Sequence, residues 1–351
     1  MPPSDKGSDL DLSAHVVRIS SVENYARRRM DIAAFCTESS VLVVAGKGGV
    51  GKTTTAAALA LLAARHGLTV LLVELEGKHA LASSFGRHGG LDYEDVVLFD
   101  DGPGSVRGRW ITPDDALLEY LGDHGFQRVS RRLVAAGVID VVSTAIPGIK
   151  DVLVLGKVKQ LERAQSADVV IVDAPATGHA VTFLTSASGL LDAARGGPIR
   201  TQASEVLELL HDPARCRVML VTLPEEMPVS ETVEAAYRLE DQAGVQLGPV
   251  VVNAVENAGA ELRISTADAI EAAGANLTVD EVAALETSRQ FAVRRYELQA
   301  TQIARLAREL PLPQIQMPAL SAGTIGLNEL AQLADALGVG IAKLGPEMSG
   351  P

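Results

Sequence analysis

Between Val41 and His66 the chain passes from a short apolar run through Gly46-Lys47-Gly48-Gly49-Val50-Gly51-Lys52-Thr53 into a helical pattern. The octet fits G-x-x-x-x-G-K-[ST] in full, and it stands where that spacing works, after a strand and at the opening of a helix. Its glycines let the backbone turn so that several N–H groups point inward, and the helix N-terminus adds the positive end of its dipole. Such a loop is a cradle for phosphates. Lys52 is placed to reach the outer phosphates of a nucleotide, and the Thr53 hydroxyl to bind Mg²⁺. Gly46, Gly48, Gly49, Val50, Gly51 and Thr54 complete the candidate nucleotide-binding set.

The rest of the chain must supply a sheet for this loop. Apolar runs recur at Val41–Ala45, Thr69–Leu75, Val96–Phe99, Val169–Val172, Val218–Val221 and Val250–Val252. Near-continuous rather than alternating apolar strands imply a sheet buried on both faces. Helical patterns such as Thr53–His66 and Ser230–Ala243 separate them. The expected fold is α/β, a doubly wound, mostly parallel sheet. Two connections exceed a simple crossover, about 112–166 and 187–215. The first opens on Thr112-Pro113-Asp114-Asp115, an N-cap with proline at N1. Together they are expected to form a helical subdomain over one end of the sheet. One or two amphipathic helices are expected over 281–309, and a last helix over Leu327–Leu337. The 351 residues thus divide into an N-terminal extension, 1–40, partly disordered, a domain over 41–342, and a flexible tail, 343–351. In the extension, Ser20 and Glu23 have capping-box spacing for a helix to about Phe35, on which Arg27, Arg28 and Arg29 form a basic patch.

Composition removes several function classes. The net charge of −13 argues against a default affinity for nucleic acid or anionic lipid, which needs a basic face. Cys36 and Cys216 stand 180 positions apart, so no CxxC, zinc ribbon or disulfide framework is spelled out, and the count fits a reducing compartment. The N-terminus has no basic segment followed by an apolar one, and no apolar run is long enough to span a membrane. The expected setting is the cytoplasm.

Lys47, directly after the first glycine, is not required by an ordinary phosphate loop. The string Gly-Lys-Gly-Gly-Val-Gly-Lys-Thr-Thr resembles the deviant phosphate loop of the SIMIBI class, which includes ParA/MinD, the nitrogenase iron protein and the ArsA/GET-type ATPases. That resemblance makes Lys47 the signature lysine, which reaches across a dimer interface to the partner's nucleotide and stabilises transferring charge as an arginine finger does. After the second strand, Glu76-Gly77-Lys78-His79, then Leu81 and Phe85, resembles the ArsA/GET-type switch I. Glu76 falls on the aspartate that orients the attacking water in that family. The longer side chain implies either a repositioned loop or slow hydrolysis, since a displacement of about 1 Å can cost roughly 100-fold in rate. Asp173-Ala174-Pro175-Ala176-Thr177-Gly178-His179 resembles switch II, with the proline one place early. The resemblance gives Asp173 the Mg²⁺, through its water, and makes Gly178 a hinge. His179 either reports nucleotide state or is a packed loop residue.

The segment Pro147-Gly148-Ile149-Lys150-Asp151 resembles the family's stretch before switch II. Asn253 falls where the family reads adenine, and Met317-Pro318-Ala319 resembles the segment that flanks the base. The resemblance runs from about residue 41 to 340 and is nearest to a bacterial branch with Glu-Gly in switch I. It implies ATP and Mg²⁺ as cofactors and a homodimer, or a heterodimer with a paralogous ATPase that retains the aspartate. The role expected from it is an ATP-gated switch that handles a protein client or partner, perhaps a membrane protein. The alternative is a nucleotide-binding regulatory subunit with little turnover. A Met-rich client groove is not evident, since none of the six methionines lies in 112–166 or 187–215. A metalloid pump subunit needs clustered thiolates, and an iron–sulfur reductase needs cysteines between the switches; the sequence supplies neither. A ParA/MinD-type positioning protein would need a basic DNA face or a C-terminal membrane helix, and the tail has neither.

Overall fold

The computed structural model describes residues 30–75, 80–123, 148–194, 196–256 and 260–344. The described strands are β1 (Val41–Gly46), β2 (Thr69–Glu74), β3 (Val96–Phe99), β4 (Ser105–Trp110), β5 (Val169–Ala176), β6 (Cys216–Thr222), β7 (Gln246–Leu247), β8 (Val250–Val255) and β9 (Gln314–Pro318). They form one sheet in the order β3-β4-β2-β5-β1-β6-β8-β9, with β7 beside β6. Every pairing is parallel except β3 with β4. The expected doubly wound α/β architecture is therefore present.

The described helices, in chain order, are α1 (Ile32–Cys36), α2 (Lys52–Arg65), α3 (Ala80–Ser84), α4 (Pro113–Asp123), α5 (Ile149–Arg163), α6 (Thr177–Ala193), α7 (Pro198–His211), α8 (Glu226–Arg238), α9 (Thr266–Ala273), α10 (Val279–Glu309) and α11 (Leu327–Ile341). The sheet divides the core in two. Val41, Val43 and Ala45 face one cluster with Val170, Val172 and Leu220, covered by α5, α6, α7 and α8. Leu42 and Val44 face the other with Leu72, Ile171 and Val221, covered by α2 and α11. The period-two alternation of a strand with apolar residues at both parities produces this directly. Helix α2 is apolar almost all round from Ala56 to Ala64 and is buried throughout, as such a helix must be.

Several local expectations are corrected. The helix ending near Phe35 does not run continuously from Ser20. It begins at Ile32, where the Asp31 carboxylate caps it by accepting from the Ala34 N–H at 2.9 Å. Strands β4 and β9 were not legible as apolar runs, because each alternates. Ser-Val-Arg-Gly-Arg-Trp buries Val106 in the core while Arg107 and Arg109 pair with Asp95 at 2.7 Å. Gln-Ile-Gln-Met-Pro buries Ile315 and Met317 on an outer strand. Residues 281–309 belong to one helix, closed at its start by a capping box between Thr278 and Glu281. Thr112 caps α4 as expected, its hydroxyl accepting from the Asp115 N–H at 3.1 Å. Helix α6 starts at Thr177, so position 187 lies in mid-helix, and α6 and α7 share the sheet's own core. Residues 1–29 and the tail from 345 lie outside the described residues.

Candidate functional site

The loop between β1 and α2 is shaped by close approach. A Cβ on Gly46 would stand 2.3 Å from the Val221 carbonyl oxygen on β6, so only glycine lets β1 run this near its neighbour. Gly49 and Gly51 have φ of +86° and +91°, the left-handed region that glycine enters without steric cost. Gly51 is also the N-cap of α2, and no side chain caps that helix. The first N–H groups of a fourteen-residue helix are thus left to something else at the loop. Gly48 and Gly49 are exposed, while Val50 is packed inward. Thr54 is half-buried on the first turn.

Around this terminus stand the charged groups. Lys52 is 8% exposed, and its Nζ donates to the Lys47 carbonyl at 3.2 Å, which folds it back across the mouth of the loop. The Thr53 hydroxyl donates to Asp173 Oδ2 at 2.7 Å. Asp173 sits on β5 beside the loop, itself nearly buried. Two residues remote in sequence therefore bring a hydroxyl and a carboxylate together at the N-terminus of a helix. That donor set is hard oxygen, suited to Mg²⁺ alongside phosphate. The open glycine cradle and Lys52 supply the phosphate half. The residues present fit a magnesium nucleotide.

Sequence reasoning missed three members of this neighbourhood. Glu74 lies opposite Asp173 across the β2–β5 pairing and is 2% exposed. An acid inside the apolar run Val70–Leu75 was the available signal. Glu231 on α8 receives Lys47, whose Nζ is 2.6 Å from its Oε1. The pair is within one chain, so the lysine expected to reach a partner is held in cis here. The third is Gln299, whose amide bonds the backbone on both sides of the turn after Asn253.

Asn253 itself lies against the loop, donating Nδ2 to the Val50 carbonyl at 2.8 Å. Pro318 pairs in register with Val255, and the Ala319 N–H donates to the Val255 carbonyl at 3.0 Å. The two segments expected around a base are therefore neighbours on β8 and β9. Thr177-Gly178-His179 forms the first turn of α6, with His179 exposed. Burial raises the Asp151 carboxyl above its ordinary pKa, and the charge of His179 acts in the opposite sense. Glu76 and Pro147 lie outside the described residues, as do Arg27, Arg28 and Arg29.

A separate cleft of about 530 Å³ opens between α4, α5 and α7, and none of the loop's residues lines it. Its buried cations are already compensated: Lys157 pairs with Glu119 at 2.6 Å, and Lys159 with Glu205.

Comparison with known proteins gives a consistent placement. Residues 39–193 match the family described as anion-transporting ATPase. ATPase BagA of Mycobacterium tuberculosis is 37% identical over 219 residues, 60% of this chain and 64% of that protein. ATPase GET3 of Phaeosphaeria nodorum is 30% identical over 146 residues, 41% of this chain and 44% of that protein. ATPase get3 of Schizosaccharomyces pombe is 32% identical over 143 residues, 41% of this chain and 42% of that protein. The chain spans less than two thirds of the length of these curated relatives.

Proposed function

We propose that this chain, whose residues 39–193 match the anion-transporting ATPase family, is a Mg²⁺-dependent ATPase that works as a dimeric switch on a protein client or partner. The observation that carries the reading is the 2.7 Å bond from Thr53 to Asp173 at the mouth of an uncapped helix. Backbone N–H groups from Gly48 to Thr53 hold the phosphates, and Lys52 neutralises their outer oxygens. Thr53 and Asp173 would hold the metal, Asp173 through a water. The chemistry such a metal would supply is neutralisation of the charge on the transferring phosphate. Asn253 and Pro318 flank the base. Glu76 orients the attacking water, and Gly178 and His179 respond to the γ-phosphate.

The dimer is a homodimer or a heterodimer with a paralogous ATPase. In it Lys47 leaves Glu231 and stabilises charge on the partner's nucleotide. Relatives named as ATPases support turnover, and the client is then the cargo of the ATP-closed form. Among the described residues no helix is long and apolar enough to cross a membrane.

The test is ATP turnover by the whole chain with Mg²⁺ and with chelator, beside Lys52→Ala. The expected result is hydrolysis that chelator and Lys52→Ala both abolish. Turnover that survives Lys52→Ala, or a chain that binds no ATP, overturns the reading.

A further inference from the structure

The backbone just after Asn253 takes a conformation that L-residues avoid. Ala254 has φ of +55°, one of two non-glycine residues with positive φ among those described. At the same point the β8–β9 register breaks, between Val252 and Val255. A residue held in this region persists only where its surroundings over-determine it, and such residues gather at functional sites. Here the surrounding group is Gln299. It is 5% exposed, on a helix most of whose surface faces solvent. Its Nε2 donates to the Ala254 carbonyl at 3.3 Å, and its Oε1 accepts from the Glu256 N–H at 2.8 Å. One side-chain amide thus spans the strained residue. It bonds two backbone groups at the point where the β8–β9 register shifts.

We infer that Gln299 is a positioning residue that commits the site to adenine over guanine by fixing the amide of Asn253. The inference rests on the nucleotide-binding reading of the phosphate loop. Asn253 Nδ2 is engaged on the Val50 carbonyl at 2.8 Å. The same nitrogen lies 2.2 Å from where a Gly51 Cβ would be, so Asn253 is seated tightly on the loop. With its donor end engaged, the amide offers a base its acceptor, Oδ1. The adenine N6 amine donates to such an oxygen, whereas guanine presents O6, a second acceptor, at the same position. Flipping the amide would suit guanine but would set Oδ1 against the Val50 carbonyl, acceptor against acceptor. The preference therefore depends on the backbone at 253–254 staying in place, and Gln299 holds it there. Its location on α10, about 45 residues further along the chain, is why no motif spacing reveals it.

The experiment measures the affinity of the whole chain for Mg-ATP and Mg-GTP by calorimetry, and ATP turnover, in wild type, Gln299→Met and Gln299→Glu. Methionine keeps the volume and removes both hydrogen bonds. Glutamate keeps the bond from the Glu256 N–H and sets an oxygen against the Ala254 carbonyl, so it carries the test if the methionine variant does not fold. Wild type should prefer ATP. Both variants should lose about tenfold in ATP affinity, the worth of one hydrogen bond, with GTP affinity held or raised. The turnover rate at saturating ATP should stay within about threefold, because the loss is in binding the base. Folded variants that keep the ATP/GTP ratio, or lose both nucleotides equally, overturn the inference. So does a wild type that binds both alike. A wild type that binds neither overturns the nucleotide-binding reading itself.

Discussion

Lys47, the second lysine of the phosphate loop, is paired within its own chain to Glu231 on α8, Nζ to Oε1 at 2.6 Å. Both side chains are about one-third exposed, 37% and 35%. A pair that wet is worth about 0–1 kcal/mol, so a nucleotide phosphate can outcompete the carboxylate. Glu231→Gln should therefore ease release of Lys47 and favour ATP-dependent self-association by no more than about fivefold for each lysine released. Lys47→Ala should leave ATP binding intact while lowering both turnover and association. Light scattering with and without ATP, beside a turnover assay, reads both. Wild-type turnover in Lys47→Ala would end the trans-acting role.

The Thr53–Asp173 contact gives a sharper expectation, because both partners sit on rigid elements, α2 and β5. Asp173→Asn keeps the shape and removes the charge that Mg²⁺ needs. Turnover should fall by roughly 100-fold or more, the order seen when one preorganised electrostatic group is removed. ATP binding measured without Mg²⁺ should change little. A variant that hydrolyses normally at low Mg²⁺ would remove Asp173 from the metal site.

How much of this was readable beforehand follows burial. Strands β1, β2, β5, β6 and β8 are covered on both faces, so they appear as apolar runs. Strand β4 places Arg107 and Arg109 among acids on one side, and its alternation hid it. The loop from Gly46 to Thr53 was readable because phosphate binding by backbone N–H groups demands glycines at fixed spacing. Glu231 and Gln299 were not. Each acts through a contact made 184 or 45 positions away, and neither residue type is unusual on a helix. Register across the sheet, not spacing along the chain, is what sets Glu74 against Asp173.

Gly46 tests the close approach of β1 and β6. Its absent Cβ would meet a backbone oxygen, Val221 O at 2.3 Å, which cannot swing aside as a flexible side chain can. Gly46→Ala should cost about 1–3 kcal/mol or more, through a forced shift of one central strand. Denaturant unfolding would measure it. Gly49→Ala meets nothing within 4 Å, so its cost should come from its φ of +86° alone and be smaller. Equal costs for the two would contradict the account.

The two cysteines lie on opposite faces of the sheet, Cys36 with Val44 and Cys216 with Val43, so they cannot share a ligand. Burial pushes both thiols up to about 12, with Asp31 adding to the effect at Cys36. The thiolate is the reactive form, so both should resist alkylation in the native protein at pH 8 and label fully in denaturant. Rapid native labelling of either one would show that its side of the core opens.

Asp168 ties the start of β5 to the start of β2. Its Oδ2 accepts from the Thr69 hydroxyl at 2.6 Å and the Thr69 N–H at 2.7 Å. These bonds favour the carboxylate, the hydroxyl most, and lower its pKa from the ordinary 3.8. A folded-state pKa below the unfolded one adds stability at pH values above 3.8, and that stability is lost as pH falls through the lowered value. The group is largely exposed, so the contribution is discounted to about 1 kcal/mol or less. Asp168→Asn should lower the melting temperature at pH 7 by about 1–2 °C. The gap to wild type should close as pH drops below the carboxylate range. Paired thermal melts from pH 7 to 3 would show this, and a gap that stays constant with pH would mean that the charge on Asp168 contributes nothing to holding the two strands together.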